Sequence, residues 1–321
     1  MTTINFFSPV QELINKVEDL MQAQSHGHHS ELGAALSHLL SSGGKRVRPA
    51  VALLTGGMLG GDKGRLITLS AAIELLHTAT LVHDDLIDGS LLRRGIPTIN
   101  ANWSPAATVL TGDFIFARAA VLASQTKSVE VMRMFSETLA TIVNGEIIQL
   151  FASRGKASRE DYFNRIHAKT ASMFELATSA AAVLSPIGDG VVKLVSQYGY
   201  GIGMAFQIVD DILDFTGEQV SMGKPIANDL RQGLITLPTL CYLETHPDDP
   251  DARAVLNGKT YAEVDMERLA KSVRESDAVN LALDEAKQFV DQGLIALRQL
   301  PLNQERLALE ELAAYIVQRH R

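Results

Sequence analysis

The sequence predicts an all-α protein, on three observations. Apolar residues recur at spacings of three and four, as in Leu66, Leu69, Ile73 and Leu76, or Leu110, Phe114, Ala117 and Val121, which is one face of a 3.6-residue helix. Alternating β-branched runs are scarce, and breakers cut the 321-residue chain into segments of helical length. The helices expected in order are 3–24, 30–40, 47–59, 65–88, 105–125 and 128–152. They continue with 159–184, 190–217, 227–245, 261–274, 277–299 and 302–319. Glycine or proline stands beside many of these boundaries, for instance Gly43 and Gly44, Gly60 and Gly61, Pro105, Pro186 and Pro301. The segment HPDDPD from His246 to Asp251 reads as a surface connection. No Gly/Ser/Pro-rich or charged linker divides the chain, so one domain over 1–321 is expected rather than two.

Composition narrows the class. With 29 bases against 37 acids the net charge is −8, which gives no bulk attraction to nucleic acid or to an anionic membrane. Any anionic partner must be held by local cations or by metal. The single cysteine, Cys241, excludes an intramolecular disulfide and a multi-cysteine metal site, and it fits a reducing, cytoplasmic compartment. The N-terminal segment lacks the basic-then-apolar order of a signal peptide, and no uninterrupted apolar stretch is long enough to span a bilayer. A soluble protein without a stable membrane anchor is therefore expected.

One internal echo carries chemistry: HTATLVHDDLID ends at Asp88 and MAFQIVDDILD ends at Asp214. Each is an apolar helix closing in D-D-x-x-D. In a helix, Asp84 and Asp88 share a face, as do Asp210 and Asp214, while Asp85 and Asp211 lie about 100° round the axis. Like charges four apart repel, and the C-terminal end of a helix dipole disfavours anions, so a cation is needed at each triplet. Oxygen-only donors select a hard ion, Mg²⁺ before Zn²⁺, and Mg²⁺ commonly bridges one or two carboxylates to substrate phosphates.

The basic residues suit that picture. Gly43-Gly44-Lys45-Arg46-Val47-Arg48-Pro49 sets three cations on a glycine-flexed turn, a cradle for an anion. Arg93-Arg94 follows the first triplet, and Lys169-Thr170 and Gly223-Lys224-Pro225 stand in the second half. A net-acidic chain that keeps cations near its acidic clusters fits an Mg²⁺-diphosphate substrate.

The ordered segments GGKRVRP, HTATLVHDDLIDGSLLRRG, GDFIFARA, GEIIQL, KTASMFELA, FQIVDDILD and GKPIANDL resemble the trans-isoprenyl diphosphate synthases, most of all the long-chain octaprenyl and solanesyl type. The resemblance runs from Gly43 to Pro238. It implies a single large helical bundle of the isoprenoid synthase type around a deep central cavity, with the two aspartate motifs facing each other. It also implies a metal set of Asp84, Asp85, Asp88, Asp210, Asp211 and Asp214, holding about three Mg²⁺ ions per active site. Arg93, Lys169, Thr170, Gln207 and Lys224 would contact an allylic diphosphate, while Lys45, Arg48, His77 and Arg94 would bind isopentenyl diphosphate. The reaction implied is head-to-tail condensation of the two substrates to a trans-polyprenyl diphosphate. Asp84, Asp85, Asp88, Lys169, Asp210 and Lys224 would carry the catalysis, in a homodimer.

Product length should depend on what lies one helical turn, about 5.4 Å, below the first motif. Ala79 and Thr80 stand there, where short-chain relatives tend to carry a bulky residue, so a product beyond C20 is expected; Phe135 and Met132 are candidates for a deeper floor. The chain departs from the family pattern at Leu234, often lysine, and at Ala227, often glycine. His26, His28 and His29 read as a polar connection rather than a metal site. A geranylgeranyl or farnesyl diphosphate synthase and a non-catalytic subunit of a heteromeric synthase are the alternatives. A class I terpene cyclase would carry a different second metal motif.

Overall fold

The computed structural model describes residues 6–41, 43–93, 95–151, 158–216, 227–256 and 264–319. The fold is all-α as expected, and among the described residues there is one two-stranded antiparallel ladder, in which Leu92 faces Pro97 and Arg93 faces Ile96. The helices are α1 (Gln11–Gln22), α2 (Ser30–Ser41), α3 (Val47–Met58), α4 (Lys63–Ile87), α5 (Ile99–Asn102), α6 (Pro105–Gln125), α7 (Val129–Phe151) and α8 (Arg159–Ile166). A π-helical turn, His167–Ala171, leads into α9 (Ser172–Val183) and α10 (Asp189–Thr216). There follow α11 (Asn228–Arg231), α12 (Leu237–Thr245), α13 (Pro250–Leu256), α14 (Met266–Glu275), α15 (Ala278–Leu297) and α16 (Gln304–Gln318).

Local chemistry sets many of these ends. Asp62 caps α4 by accepting from the Arg65 amide at 2.8 Å, Ser104 caps α6 with Pro105 in its first turn, and Ser158 caps α8. Four expectations need correction. Of the helix expected over 3–24, residues 3–5 lie outside the described residues, and the α-helix runs Gln11–Gln22 after a 3₁₀ turn at Ser8–Val10, where Pro9 lacks the amide that an interior helical position needs. The helix expected over 159–184 is interrupted by the π turn. The one expected over 227–245 splits at Gly233, whose φ of +85° leaves the helical region. The HPDDPD connection contains the start of α13, where the Asp249 carboxylate accepts from the amides of Asp251 and Ala252.

The chain divides into two compact units. The first comprises Met1–Glu137, Met173–Ser196 and Leu297–Glu311; the second comprises Thr138–Ser172, Gln197–Ala296 and Leu312–Arg321. In the first, α4 is the central element and packs most extensively on α6, then on α3 and α1. Leu66, Leu69, Ile73 and Leu76 of α4 are buried with Leu53 and Leu54 of α3 and Ile115 and Leu122 of α6. Burying such side chains contributes about 1.5–3 kcal/mol each relative to exposure. A Cβ at Gly112 would overlap the His83 ring, so the glycine of GDFIFARA permits the close approach of α6 to the end of α4. In the second unit the core is built from Tyr162 and Ile166 of α8, Ala205, Ile208, Val209, Ile212 and Phe215 of α10, and Ala286 and Val290 of α15.

Candidate active site

The first unit carries the first triplet at the C-terminal end of α4. Asp84 is half-buried, Asp85 is buried and Asp88 is exposed. Asp85 is held by Arg93 of the ladder: the Arg93 Nε donates to both carboxylate oxygens at 3.0 and 3.1 Å, and Nη2 lies 2.8 Å from Oδ1. This is a cation placed on a carboxylate that burial would otherwise penalise. His77 is half-buried two turns before Asp84 on α4; Ala79 is fully buried and Thr80 half-buried, its hydroxyl donating to the His77 carbonyl at 2.8 Å. Phe135 is buried on α7.

The glycine-flexed turn before α3 does not use all three cations alike. Lys45 is exposed and Arg48 is half-buried with its guanidinium 5.1 Å from the Phe174 ring centroid. Arg46 turns inward: its Nε and Nη1 each donate at 3.0 Å, to Glu18 and to buried Glu74, and Nη2 donates to the Leu40 carbonyl. Of the three cations expected in the cradle, Arg46 is engaged elsewhere, because the buried carboxylate of Glu74 claims it. Arg94 and Lys224 lie outside the described residues.

The second unit carries Lys169 and Thr170 on the π turn, a local irregularity that often marks a functional site. Glu146 of α7 faces Lys169, with Nζ 2.8 Å from Oε1. A Cβ at Gly145 would stand 2.6 Å from the Ala168 Cβ, so the glycine of GEIIQL lets α7 reach the π turn. From Thr170 a hydrogen-bond chain runs into the second triplet. The Thr170 hydroxyl donates to the Gln207 carbonyl oxygen at 2.7 Å, and the Gln207 amide donates to Asp211 Oδ1 at 2.8 Å. The Tyr162 hydroxyl donates to Asp211 Oδ2 at 2.7 Å. Burial pushes the Asp211 carboxyl up to about 7, against the pull of its two donors, and burial together with Asp211 raises the Tyr162 phenol.

The other two members of the triplet are differently engaged. Asp210 Oδ1 lies 2.9 Å from the Arg319 guanidinium. Asp214 accepts from the amides of Asn228 and Asp229 at 3.2 and 3.1 Å, and its carbonyl accepts from the Ala227 amide at 2.8 Å. Ala227 sits at φ +53°, ψ +43°, the left-handed region. Glycine would take this conformation without the penalty that alanine's Cβ incurs.

Tyr162, Glu146 and Arg319 were not anticipated from sequence. Tyr162 lies two helical turns before Lys169, a spacing that places both on one face only if the segment is read as a continuous helix. Nothing in the sequence pairs Arg319 with Asp210. His28 packs its ring against Phe114 at 4.6 Å, and among the described residues no group of three or more His, Cys, Asp or Glu is gathered at metal-binding distance. An Mg²⁺ site needs no such cage, since the ion keeps water and phosphate oxygens alongside one or two carboxylates. The donor chemistry fits it: in both triplets a guanidinium already sits on a carboxylate.

An all-α chain with two apolar helices ending in aspartate triplets and basic residues beside them is the architecture of a diphosphate-handling enzyme. The polyprenyl synthetase family model matches residues 29–273, and this chain belongs to that family, whose members are prenyl diphosphate synthases. Component 2 of the heptaprenyl diphosphate synthase of Geobacillus stearothermophilus is 34% identical over 314 residues, 98% of each chain. The geranylgeranyl diphosphate synthase of Saccharolobus solfataricus is 32% identical over 322 residues, 97% of each. The crystal structure of a polyprenyl synthase from Caulobacter crescentus CB15, complexed with calcium and isoprenyl diphosphate, superposes with a TM-score of 0.90 at 34% identity, covering 99% of this chain and 98% of that one. The products named among these relatives differ in length.

Proposed function

We propose that this chain condenses isopentenyl diphosphate with an allylic diphosphate in an Mg²⁺-dependent, head-to-tail reaction, giving a trans-polyprenyl diphosphate longer than C20. The observation that carries the reading is the pair of D-D-x-x-D helix ends, each provided with cations. Asp84, Asp88 and Asp210 offer carboxylate oxygens to about three metal ions, with Asp85, Asp211 and Asp214 in support. Mg²⁺, when bound, supplies Lewis-acid stabilisation of the charge that develops on the departing diphosphate.

The protein's own residues bind, orient and exclude water. Lys169, Thr170, Gln207 and Lys224, with Arg93, hold the allylic diphosphate, and Lys169 must exchange Glu146 for phosphate oxygens to do so. Lys45, Arg48, His77 and Arg94 hold isopentenyl diphosphate, Lys45 being exposed and ready to meet it. The allylic cation is attacked by the double bond of isopentenyl diphosphate, and the proton released passes to diphosphate. Apolar residues behind each triplet keep water from the cation. The small buried Ala79 and half-buried Thr80 support a long product, with Phe135 as a deeper floor.

We read 1–321 as one synthase domain whose two compact units act together, working in the cytoplasm as a homodimer. Large apolar residues exposed on α7, among them Ile148, Leu150 and Phe151, support a protein partner at that helix. Among the described residues two helices, α4 and α6, are long and apolar enough to cross a membrane, but α4 buries 67% of its apolar stretch, as a core helix does. The relative named as component 2 of its synthase favours a second reading, a chain active only with a different subunit. Incubating the purified chain with Mg²⁺, farnesyl diphosphate and labelled isopentenyl diphosphate tests both. Labelled products beyond C20 are expected; no incorporation by the chain alone would favour the second reading.

A further inference from the structure

The turn that follows α16 supplies a cation to the second aspartate triplet. Arg319 follows α16 and continues its turn, its amide donating to the Tyr315 carbonyl at 3.2 Å. Its side chain is only 7% exposed. Nη1 lies 2.9 Å from Asp210 Oδ1, Nη2 donates to the Phe206 carbonyl at 2.6 Å, and the guanidinium carbon stands 3.9 Å from the Phe206 ring centroid. One contact to Asp210 and two to Phe206 therefore fix the guanidinium beside the carboxylate. Leu312, Ala313 and Ile316, buried on α16, anchor the segment from which it reaches.

A carboxylate that accepts from a guanidinium at this distance has a charge-assisted bond that a metal ion must compete with or replace. We propose that Arg319 is a positioning residue that holds Asp210 and is displaced when a divalent cation binds there. The inference rests on the reading of Asp210 as a metal carboxylate. Linkage makes the displacement reciprocal: Arg319 weakens metal binding by the factor by which metal loosens the C-terminal turn. The turn after α16 thereby reports on, and tempers, loading of the second triplet.

The test measures metal binding rather than turnover. Mn²⁺ is titrated into the full chain, alone and with inorganic diphosphate, and free ion is counted by its paramagnetic resonance signal. Arg319→Gln is expected to bind Mn²⁺ tighter than the unaltered chain, on the order of tenfold, and Arg319→Lys to fall back toward the unaltered value. Equal or weaker binding by Arg319→Gln overturns the proposal. Hydrogen exchange in the unaltered protein gives a second reading that needs no variant. Mn²⁺ should speed exchange at the end of α16 on the order of tenfold, and unchanged protection overturns the proposal. Asp210→Asn separates the two levels. If it leaves Mn²⁺ affinity unchanged, the metal reading of Asp210 fails and this inference falls with it. If it weakens binding while Arg319→Gln changes nothing, only the displacement is wrong.

Discussion

The hydroxyl of Tyr162 donates to Oδ2 of Asp211 at 2.7 Å, joining α8 to the second aspartate triplet across 49 positions of sequence, and both groups are buried. Asp211 therefore differs from its neighbours: its oxygens receive a phenol and an amide, while Asp210 meets a guanidinium and Asp214 meets backbone amides. Removing the phenol hydrogen bond leaves a buried carboxyl group with one donor fewer. Tyr162→Phe should cost about 1–3 kcal/mol in urea unfolding of the metal-free protein. An unchanged midpoint would show that the bond contributes nothing to the fold.

Ala227 offers the opposite case, a position where a change should stabilise. A left-handed alanine costs roughly 1–2 kcal/mol, part of which glycine returns through the larger entropy of the unfolded chain. Ala227→Gly is expected to raise stability by about 0.5–1 kcal/mol, read as a higher melting temperature. A lower one would mean that the strain at φ +53° is offset by packing of the buried methyl group.

Cys241 gives a pH dependence. Burial, with Glu285 nearby, pushes its thiol up to about 11. Only about one thiol in a thousand is then thiolate at pH 8, and the thiolate is the reactive form. Labelling by iodoacetamide should be slow in the folded protein at pH 8 and accelerate as pH rises toward 11, whereas unfolded protein labels at once. Rapid labelling of the folded chain at pH 8 would contradict this.

Ala79 tests the length of the product. It is fully buried on α4 below the first triplet. Ala79→Phe should shorten the products, and because overpacking a core can itself cost about 1–3 kcal/mol, stability is measured alongside. A stable variant with unchanged products would leave Ala79 as ordinary core.

How much of this was legible in the sequence follows from the range of the forces involved. The helix Pro105–Gln125 could be read to the residue because its start is local, a proline in the first turn behind a serine cap. The break at His167–Ala171 could not, since it accompanies the approach of Gly145 to Ala168, a tertiary contact without a local signal. The triplets announce themselves because repelling carboxylates at helical spacing need an explanation. Their individual surroundings do not, because Arg93, Tyr162 and Arg319 each come from another element. Arg46 shows the converse: a cation that reads as part of a phosphate cradle is drawn inward by Glu74, whose burial no local pattern reveals.

The central claim is that both triplets serve one condensation. It is tested most directly by the rate at which labelled isopentenyl diphosphate enters product in the unaltered chain, in Asp84→Ala and in Asp210→Ala, each with Mg²⁺ and with a chelator. The unaltered chain should turn over only with Mg²⁺, and each variant should be slower on the order of a hundredfold or more, as when a charge-stabilising group is removed from a catalytic site. Turnover undiminished in either variant, or undiminished by the chelator, would contradict it.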